Sequence, residues 1–215
     1  MTLKPFFTAS AASLLLTANS QGVLVIAGVT DGDLTGGNPK AIILTAAAPI
    51  ADLSIWGVGS ANNGGGTDGE EFTFPAISLN AGDAIVVTGN PDSTAFFATN
   101  FVQNFELYES NSALINGDDA VELFQNGAVF DTFGDINVDG TGQSWEYSDG
   151  FATRTGGLPG AFVEANYSIN DDAFDGLDEQ QHVAIFAGAG FTPVPEPSSA
   201  LLLGLGALGV MRRRR

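Results

Sequence analysis

The chain has 215 residues, 25 of them acidic and seven basic, and its formal net charge is −18 at pH 7. A surface this acidic repels nucleic acid, which we exclude as a partner. The chain contains no cysteine, which excludes disulfides and thiolate zinc sites.

The first 20 residues have the organisation of a secretory signal peptide. One lysine precedes an apolar run at residues 6–16, and the small residues Ala18 and Ser20 stand at the positions that a signal peptidase reads. We therefore expect cleavage by signal peptidase before Gln21 and export of the chain. A first strand or a buried helix is the alternative for this run.

The pattern of residues 21–190 predicts a single all-β domain. Short apolar runs alternate with turns rich in Gly, Asn and Asp, which is typical of a β-sandwich or barrel. Strands are predicted at residues 22–29, 41–45, 53–56, 71–74, 84–88, 121–124, 128–133 and 182–186. A short helix is predicted near residues 94–101. Asn126 and Gly127 lie between two apolar runs and predict a hairpin.

Residues 135–146 have the spacing of a calcium-binding loop, D-x-[DN]-x-[DN]-G-x₅-E. The pattern predicts five ligands: Asp135, Asn137, Asp139, Thr141 through its carbonyl, and Glu146. Calcium prefers such oxygen ligands, so calcium is the cofactor expected here. The flanking residues predict strands rather than the two helices of an EF-hand. A β-loop without metal is therefore the alternative.

The sequence patterns that could indicate a catalytic site are weaker than the calcium-loop pattern. Adjacent carboxylates at Glu70/Glu71 and Asp118/Asp119 could serve a glycosidase, but neighbours on a strand point to opposite faces. His182 is the one histidine of the chain, and no Gly-x-Ser-x-Gly segment supplies a serine for a triad. We expect His182 at the surface or at a strand edge.

Two further groups have both a binding and a structural interpretation. Trp56 and Trp145 could form a sugar-stacking platform, whereas core packing is the more usual role of such residues. Five acidic residues lie close together near the end of the domain: Asp171, Asp172, Asp175, Asp178 and Glu179. They could hold a second cation, but a solvated acidic loop is the more usual explanation of such a group.

The C-terminal end favours a membrane address. Its elements are Pro195, Glu196 and Pro197, an uncharged run at residues 198–211, and Arg212, Arg213, Arg214 and Arg215. As a helix the run would extend about 21 Å, whereas a bilayer core is about 30 Å thick. Terminal arginines favour the cytoplasmic side. We predict a segment that is inserted and then cut, with a permanent anchor as the alternative.

This ending resembles the PEP-CTERM sorting signal of Gram-negative bacteria, over about residues 193–215. The resemblance implies a linker with the Pro-Glu-Pro motif at 191–197 and a hydrophobic helix with an arginine tail at 198–215. It also implies an exosortase as a processing partner and a transient tether to the inner membrane through the tail. The protein would then reach the cell surface or the extracellular matrix.

The central domain resembles the lamin-tail domain, which is an immunoglobulin-like β-sandwich. The resemblance covers about residues 22–155. The blocks that carry it are residues 40–44, 50–57, 79–87, 117–123 and 126–131. In bacteria such domains occur in secreted proteins, which agrees with the signals at both ends.

Removal of both signals would leave residues 21–197, which hold all 25 acidic side chains and two basic ones, Lys40 and Arg154. The net charge would then be about −23. The expected function is non-catalytic: adhesion, or interaction with exopolysaccharide, biofilm or surface proteins. A hydrolase that acts on extracellular polymer and a carbohydrate-binding module are the alternatives.

Overall fold

The structure, a computed structural model, describes residues 22–195. This range contains ten strands and two helices. The strands are β1 (Leu24–Asp31), β2 (Ala41–Ala46), β3 (Trp56–Ala61), β4 (Phe72–Thr73), β5 (Ala84–Thr88), β6 (Glu106–Glu109), β7 (Ala120–Gln125), β8 (Ala128–Phe133), β9 (Gly150–Arg154) and β10 (Tyr167–Asn170). The helices are α1 (Pro91–Asn100) and α2 (Glu179–Gly188). The predicted signal peptide and residues 196–215 of the predicted sorting segment lie outside the described residues.

The strands form two sheets that pack on each other, which confirms the predicted all-β, sandwich-like architecture. One sheet has six strands in the order β10-β9-β1-β2-β5-β6, and the other has four in the order β4-β3-β7-β8. Neighbouring strands are antiparallel except β5 and β6, which are parallel. The chain passes through α1 between these two strands, because parallel neighbours need a crossover connection.

One hydrophobic core lies between the two sheets and follows from the alternation of side chains along the strands. In β2, Ile42 and Leu44 are fully buried in this core, whereas Ala41 and Ile43 belong to a cluster on the other face. Trp56, the first residue of β3, is fully buried between the sheets.

A second core lies on the outer face of the six-stranded sheet, where α1 and α2 cover it. The ring centroids of Phe97 in α1 and Phe186 in α2 are 5.2 Å apart. Other phenylalanines of this core are Phe96, Phe101, Phe105, Phe151, Phe174 and Phe191. The two helices therefore add a third layer to the sandwich.

The helix predicted near residues 94–101 is confirmed as α1, which begins after Asn90. The strand predicted at residues 182–186 is wrong, because these residues lie inside α2. Asp178 and Gln181 form a capping box that satisfies backbone N–H groups at the start of this helix.

The predicted hairpin is confirmed: β7 and β8 are joined by Asn126 and Gly127, whose φ angles are 51° and 73°. The strand predicted at residues 53–56 is wrong in its position. Leu53–Ile55 is a 3₁₀ turn, and β3 begins only at Trp56. The Asp52 side chain accepts a hydrogen bond from Ser54 N and so caps this turn.

Candidate functional site

The 135–146 loop follows β8 and holds all five predicted calcium ligands: Asp135, Asn137, Asp139, Thr141 and Glu146. The first four are exposed, and Glu146 is half-buried. Within residues 22–195, no group of three or more His, Asp or Glu side chains is placed to hold a metal ion. Calcium binding by this loop stays a prediction.

Hydrogen bonds within the loop explain its shape. Asp135 and Asp139 each accept a hydrogen bond from the backbone N–H two residues later, at 3.0 and 2.9 Å. Gly142 N donates to Glu146 Oε2 at 2.6 Å. Bonds from the backbone and hydroxyl of Thr141 hold the pKa of Asp139 below its ordinary value. This carboxylate therefore stays charged near neutral pH.

Both tryptophans are core residues, which confirms their structural interpretation. Trp56 is fully buried and lies edge-on to Phe130, with ring centroids 4.9 Å apart. Trp145 is 5% exposed and packs against Phe133 and Phe162. Neither indole presents a face on which a sugar could stack.

His182 is fully buried in α2, so the expectation of a surface or strand-edge histidine is wrong. Its ring stacks on Phe174 with centroids 4.4 Å apart. Nδ1 donates to the carbonyl oxygen of Asp178 at 2.9 Å, and Nε2 accepts from Asp33 N at 3.4 Å. These contacts make His182 a structural residue of the second core.

The adjacent carboxylates Glu70 and Glu71 bond to different partners. Thr73 Oγ1 donates to Glu70 at 2.5 Å, whereas the backbone N–H and the hydroxyl of Ser60 donate to Glu71. The pair therefore does not converge on one substrate position.

Asp118 and Asp119 also separate. Thr141 Oγ1 donates to Asp118 at 2.9 Å, whereas the backbone N–H groups of Asn63 and Asn116 donate to Asp119. The second carboxylate is buried and organises the loop before β7.

The acidic group near the end of the domain is a loop on the surface. Asp171, Asp172, Asp175 and Glu179 are exposed, and Asp178 is the N-cap of α2. Partial burial and neighbouring negative charges raise the pKa of Asp171.

A groove of about 250 Å³ lies on the outer face of the six-stranded sheet, beside the end of α2. Gly28, Ile43, Phe151, Phe186 and Phe191 are among its lining residues. No acidic side chain lines it, so it offers no carboxylate pair for glycoside hydrolysis.

Sequence reasoning missed a buried polar cluster, here named the Lys40 cluster, which consists of Lys40, Asp31 and Asn116. Lys40 is 8% exposed and Asp31 is 7% exposed. Lys40 Nζ forms an ion pair with Asp31 Oδ1 and also donates to Asn116 Oδ1 at 3.0 Å and to the Ile115 carbonyl at 2.9 Å. Gly117 N donates to the other oxygen of Asp31 at 2.9 Å.

Burial sets the electrostatics of this region. Desolvation raises the pKa of Asp31, although the hydrogen bond and charge of Lys40 oppose the shift. Desolvation also raises the pKa of Asp119. The fully buried Tyr147 donates its hydroxyl to the Asp119 carbonyl oxygen at 3.0 Å.

A second buried ion pair joins the two sheets. Arg154 in β9 lies 2.5 Å from Asp131 in β8, measured from Nη2 to Oδ2, and Nε donates to the Ile26 carbonyl at 2.7 Å. The guanidinium also lies over the ring of Tyr167, 4.8 Å from its centroid. Gly160 N donates to the other oxygen of Asp131.

These two pairs determine the charge of the surface. Lys40 and Arg154 are the only lysine and arginine between residues 22 and 195. Their side chains are 10% and 9% exposed, and each is paired with an aspartate. Most of the acidic side chains in the same range are exposed or half-buried. This part of the chain therefore presents carboxylates to solvent without any exposed lysine or arginine.

Comparison with protein families finds a match at the C-terminal end. Residues 193–215 match the family model of the PEP-CTERM protein-sorting motif. No curated protein and no solved structure matches the chain. Between residues 22 and 195, neither helix is long and apolar enough to cross a membrane. The motif supports export, processing at the membrane by an exosortase, and a surface or secreted location.

Proposed function

We propose that the chain is an exported, non-catalytic β-sandwich that works at the cell surface or in the extracellular matrix, in adhesion or in exopolysaccharide-associated interactions. The observation that carries this proposal is the sorting motif at residues 193–215, which directly follows the sandwich. The two sheets and the helical layer form one folded domain, and the sorting motif directs that domain to its location.

The charge of the module supports a matrix role that depends on cations. A surface of carboxylates without exposed lysine or arginine repels acidic polysaccharide. Divalent cations such as calcium can bridge carboxylates on both partners. We therefore infer that binding to an acidic matrix polymer requires calcium or magnesium.

We also infer that the domain is lamin-tail-like and immunoglobulin-like. The blocks that carry the resemblance coincide with structural elements: residues 40–44 with β2, residues 79–87 with the entry to β5, and residues 117–131 with the β7–β8 hairpin. The parallel β5–β6 pair and the two helices are additions to a purely antiparallel sandwich. Superposition of an experimental structure on a lamin-tail domain tests this identity.

The 135–146 loop is our candidate for a specific calcium site within this surface. Titration of the purified protein with calcium should raise its melting temperature at millimolar concentration. Asp139→Asn should remove most of that shift, whereas Asp68→Asn, in another exposed loop, should retain it. No shift beyond that produced by magnesium at equal concentration would reject a calcium-specific loop.

A matrix-retention experiment tests the function. Exopolysaccharide matrix is isolated from a strain that carries an exosortase but lacks this protein, and purified protein is added with calcium or with EDTA. We expect retention with calcium and release by EDTA. Absence of retention under both conditions would contradict the matrix role.

The same preparation tests the two alternatives. Release of new reducing ends from the matrix would indicate a hydrolase. Binding to neutral glycans in the presence of EDTA would indicate a carbohydrate-binding module, which would then have to use a surface other than the buried Trp56 and Trp145.

A further inference from the structure

The Lys40 cluster brings together three segments of the chain at one end of the sandwich. Asp31 ends β1, Lys40 directly precedes β2, and Asn116 lies before β7. Asp31 belongs to the six-stranded sheet, Lys40 leads into the same sheet, and Asn116 leads into the four-stranded sheet. A primary amine, a carboxamide and a carboxyl group therefore meet where the two sheets are joined.

The distances place the amine next to the carboxamide. Lys40 Nζ lies 3.0 Å from Asn116 Oδ1, so the carbon of that amide is close to contact distance from the nitrogen. The side chains of Lys40 and Asp31 are each 10% exposed, and their charged groups are paired. Attack requires Nζ to come within about 3–3.5 Å of the amide carbon of Asn116, and the hydrogen bond to Oδ1 holds the two groups next to each other.

Asp31 can act as the base that removes a proton from the Lys40 ammonium group. An ammonium group has no lone pair and cannot attack a carbonyl, so Lys40 must first lose a proton. Asp31 Oδ1 is paired with Nζ in a site where both side chains are 10% exposed, so the carboxylate is in position to accept that proton directly. Transfer of the proton from Nζ to Asp31 gives two neutral groups. Burial of two neutral groups costs less desolvation free energy than burial of two charged groups.

We propose that Lys40 and Asn116 form an intramolecular isopeptide bond, with Asp31 as the group that moves protons. The proton of the ammonium passes to Asp31, and the neutral amine attacks Cγ of Asn116. Asp31 protonates the carbonyl oxygen, takes the second proton from the attacking nitrogen and passes it to Nδ2. The bond from Cγ to Nδ2 then breaks and ammonia leaves. The hydroxyl proton returns to Asp31, the carbonyl re-forms, and the lysine nitrogen is left as a secondary amide.

Such a bond would suit this protein. The chain has no cysteine and therefore no disulfide. The residues joined are 76 positions apart in sequence, and they lead into strands of the two different sheets. A covalent link that closes a long loop restricts the unfolded chain and so stabilises the folded one. In an exported protein this would be an alternative to a disulfide.

One competing reaction involves the same asparagine. Asn116 is followed by Gly117, and attack by the backbone nitrogen of the glycine would also release ammonia. In the structure that N–H donates to Asp31 Oδ2 at 2.9 Å, which directs it away from the amide carbon. Experiment can separate the two products, because only one of them uses Lys40.

The first measurement is the intact mass of the folded full chain, produced in a host without an exosortase, with its termini established by sequencing. We expect a mass lower than that of the sequence by one ammonia molecule. Lys40→Met and Asp31→Asn should each have the full mass of their own sequence. An unmodified wild-type mass overturns the proposal, and this result does not depend on whether any variant folds.

The second measurement is a tryptic digest of the denatured protein. Trypsin does not cleave after an acylated lysine, so the bond after Lys40 should stay intact and the peptide to Arg154 should carry the cross-link. Cleavage after Lys40 together with loss of ammonia would identify the cyclised Asn116–Gly117 product and reject the isopeptide bond. Loss of water instead of ammonia would join Lys40 to Asp31 and would also reject it.

Discussion

Asp131 and Arg154 form a buried pair whose members belong to different sheets. Asp131 accepts hydrogen bonds from Ile26 N at 2.9 Å and from Gly160 N at 3.0 Å, in addition to its contact with the arginine. Both oxygens of this carboxylate therefore accept hydrogen bonds. Within residues 22–195, the other hydrogen-bond partners of the guanidinium are the Ile26 carbonyl and the Tyr167 hydroxyl, which carry no charge. Removal of one charge would leave the other buried without compensation.

We therefore expect Asp131→Asn to lower the free energy of unfolding by about 3–5 kcal/mol, the usual cost of leaving one member of a buried pair alone. Urea denaturation measures this change. Asp68→Asn, the same substitution at an exposed site, should stay within about 0.5 kcal/mol of wild type. Equal effects of the two substitutions would show that the pair contributes nothing specific.

The buried carboxyls Asp31 and Asp119 make stability depend on pH. Burial raises the pKa of both above the ordinary value of 3.8. A carboxyl with a higher pKa in the folded state stabilises folding in its protonated form. This contribution is complete below pH 3.8 and is lost as the pH rises through the raised pKa.

We expect the melting temperature to fall as the pH rises above about 4, which is opposite to the behaviour of a protein whose carboxylates are held by exposed salt bridges. Asp119→Asn, which cannot ionise, should reduce this dependence. The exposed Asp52 has a lowered pKa and acts in the other direction, so Asp52→Asn serves as the contrasting variant. A melting temperature that rises steadily to pH 7 would contradict the prediction.

At the scale of elements, apolar sequence patterns located strands best where a turn motif also marked the end of the strand. The β7–β8 hairpin was predictable because Asn126 and Gly127 favour the left-handed backbone that a two-residue turn requires. The apolar residues 182–186 suggested a strand, yet Asp178 and Gln181 had the spacing of a capping box and could have indicated α2. Helix-start signals were the better guide there.

Other elements depend on distant partners and could not be read locally. β9 ends at Arg154, a residue type that normally lies at the surface. Its side chain is largely covered here, and its charge is paired with Asp131 of another strand. The Lys40 cluster has the same origin, because Lys40 and Asn116 are 76 positions apart. A spacing motif indicated the 135–146 loop, because its predicted ligands lie within one short segment, but no such motif could indicate this cluster.

The hairpin turn gives a test at this scale. Gly127 has a φ angle of 73° and no neighbour within 4 Å of an added Cβ, so Gly127→Ala would add backbone strain without a clash. We expect a loss of about 1–2 kcal/mol. Gly156→Ala is the matched control, because that glycine also faces open space but has an ordinary φ angle. Urea denaturation compares the two, and equal stability would contradict the role of the turn.

The capping box of α2 provides a second test at the scale of elements. Asp178→Ala removes the side chain that accepts from Gln181 N at 2.9 Å, and it should cost about 1 kcal/mol. Hydrogen exchange should show faster opening of α2 than of the central strands. Asp175→Ala, in the preceding exposed loop, should leave exchange in α2 unchanged. Unaltered exchange in Asp178→Ala would contradict the assignment.

For the whole molecule, the dominant property is self-repulsion. Residues 22–195 contain one lysine and one arginine, and both are already paired inside the protein. The exposed carboxylates therefore lack nearby cationic side chains, and dissolved salt must screen them.

We expect the melting temperature to rise by several degrees between about 10 mM and 500 mM sodium chloride, because screening reduces the repulsion. Buried pairs are screened much less, so Asp131→Asn should show the same salt dependence from a lower starting point. A melting temperature that is independent of salt would mean that the surface charges lie too far apart to affect folding.

The burial of Lys40 also affects how this protein can be detected. Reagents that label surface proteins through lysine amines, including common biotin and dye esters and aldehyde fixatives, would find no accessible lysine between residues 22 and 195. Labels that react with lysine amines would therefore modify this part of the chain poorly. Carbodiimide coupling to carboxylates would label it readily.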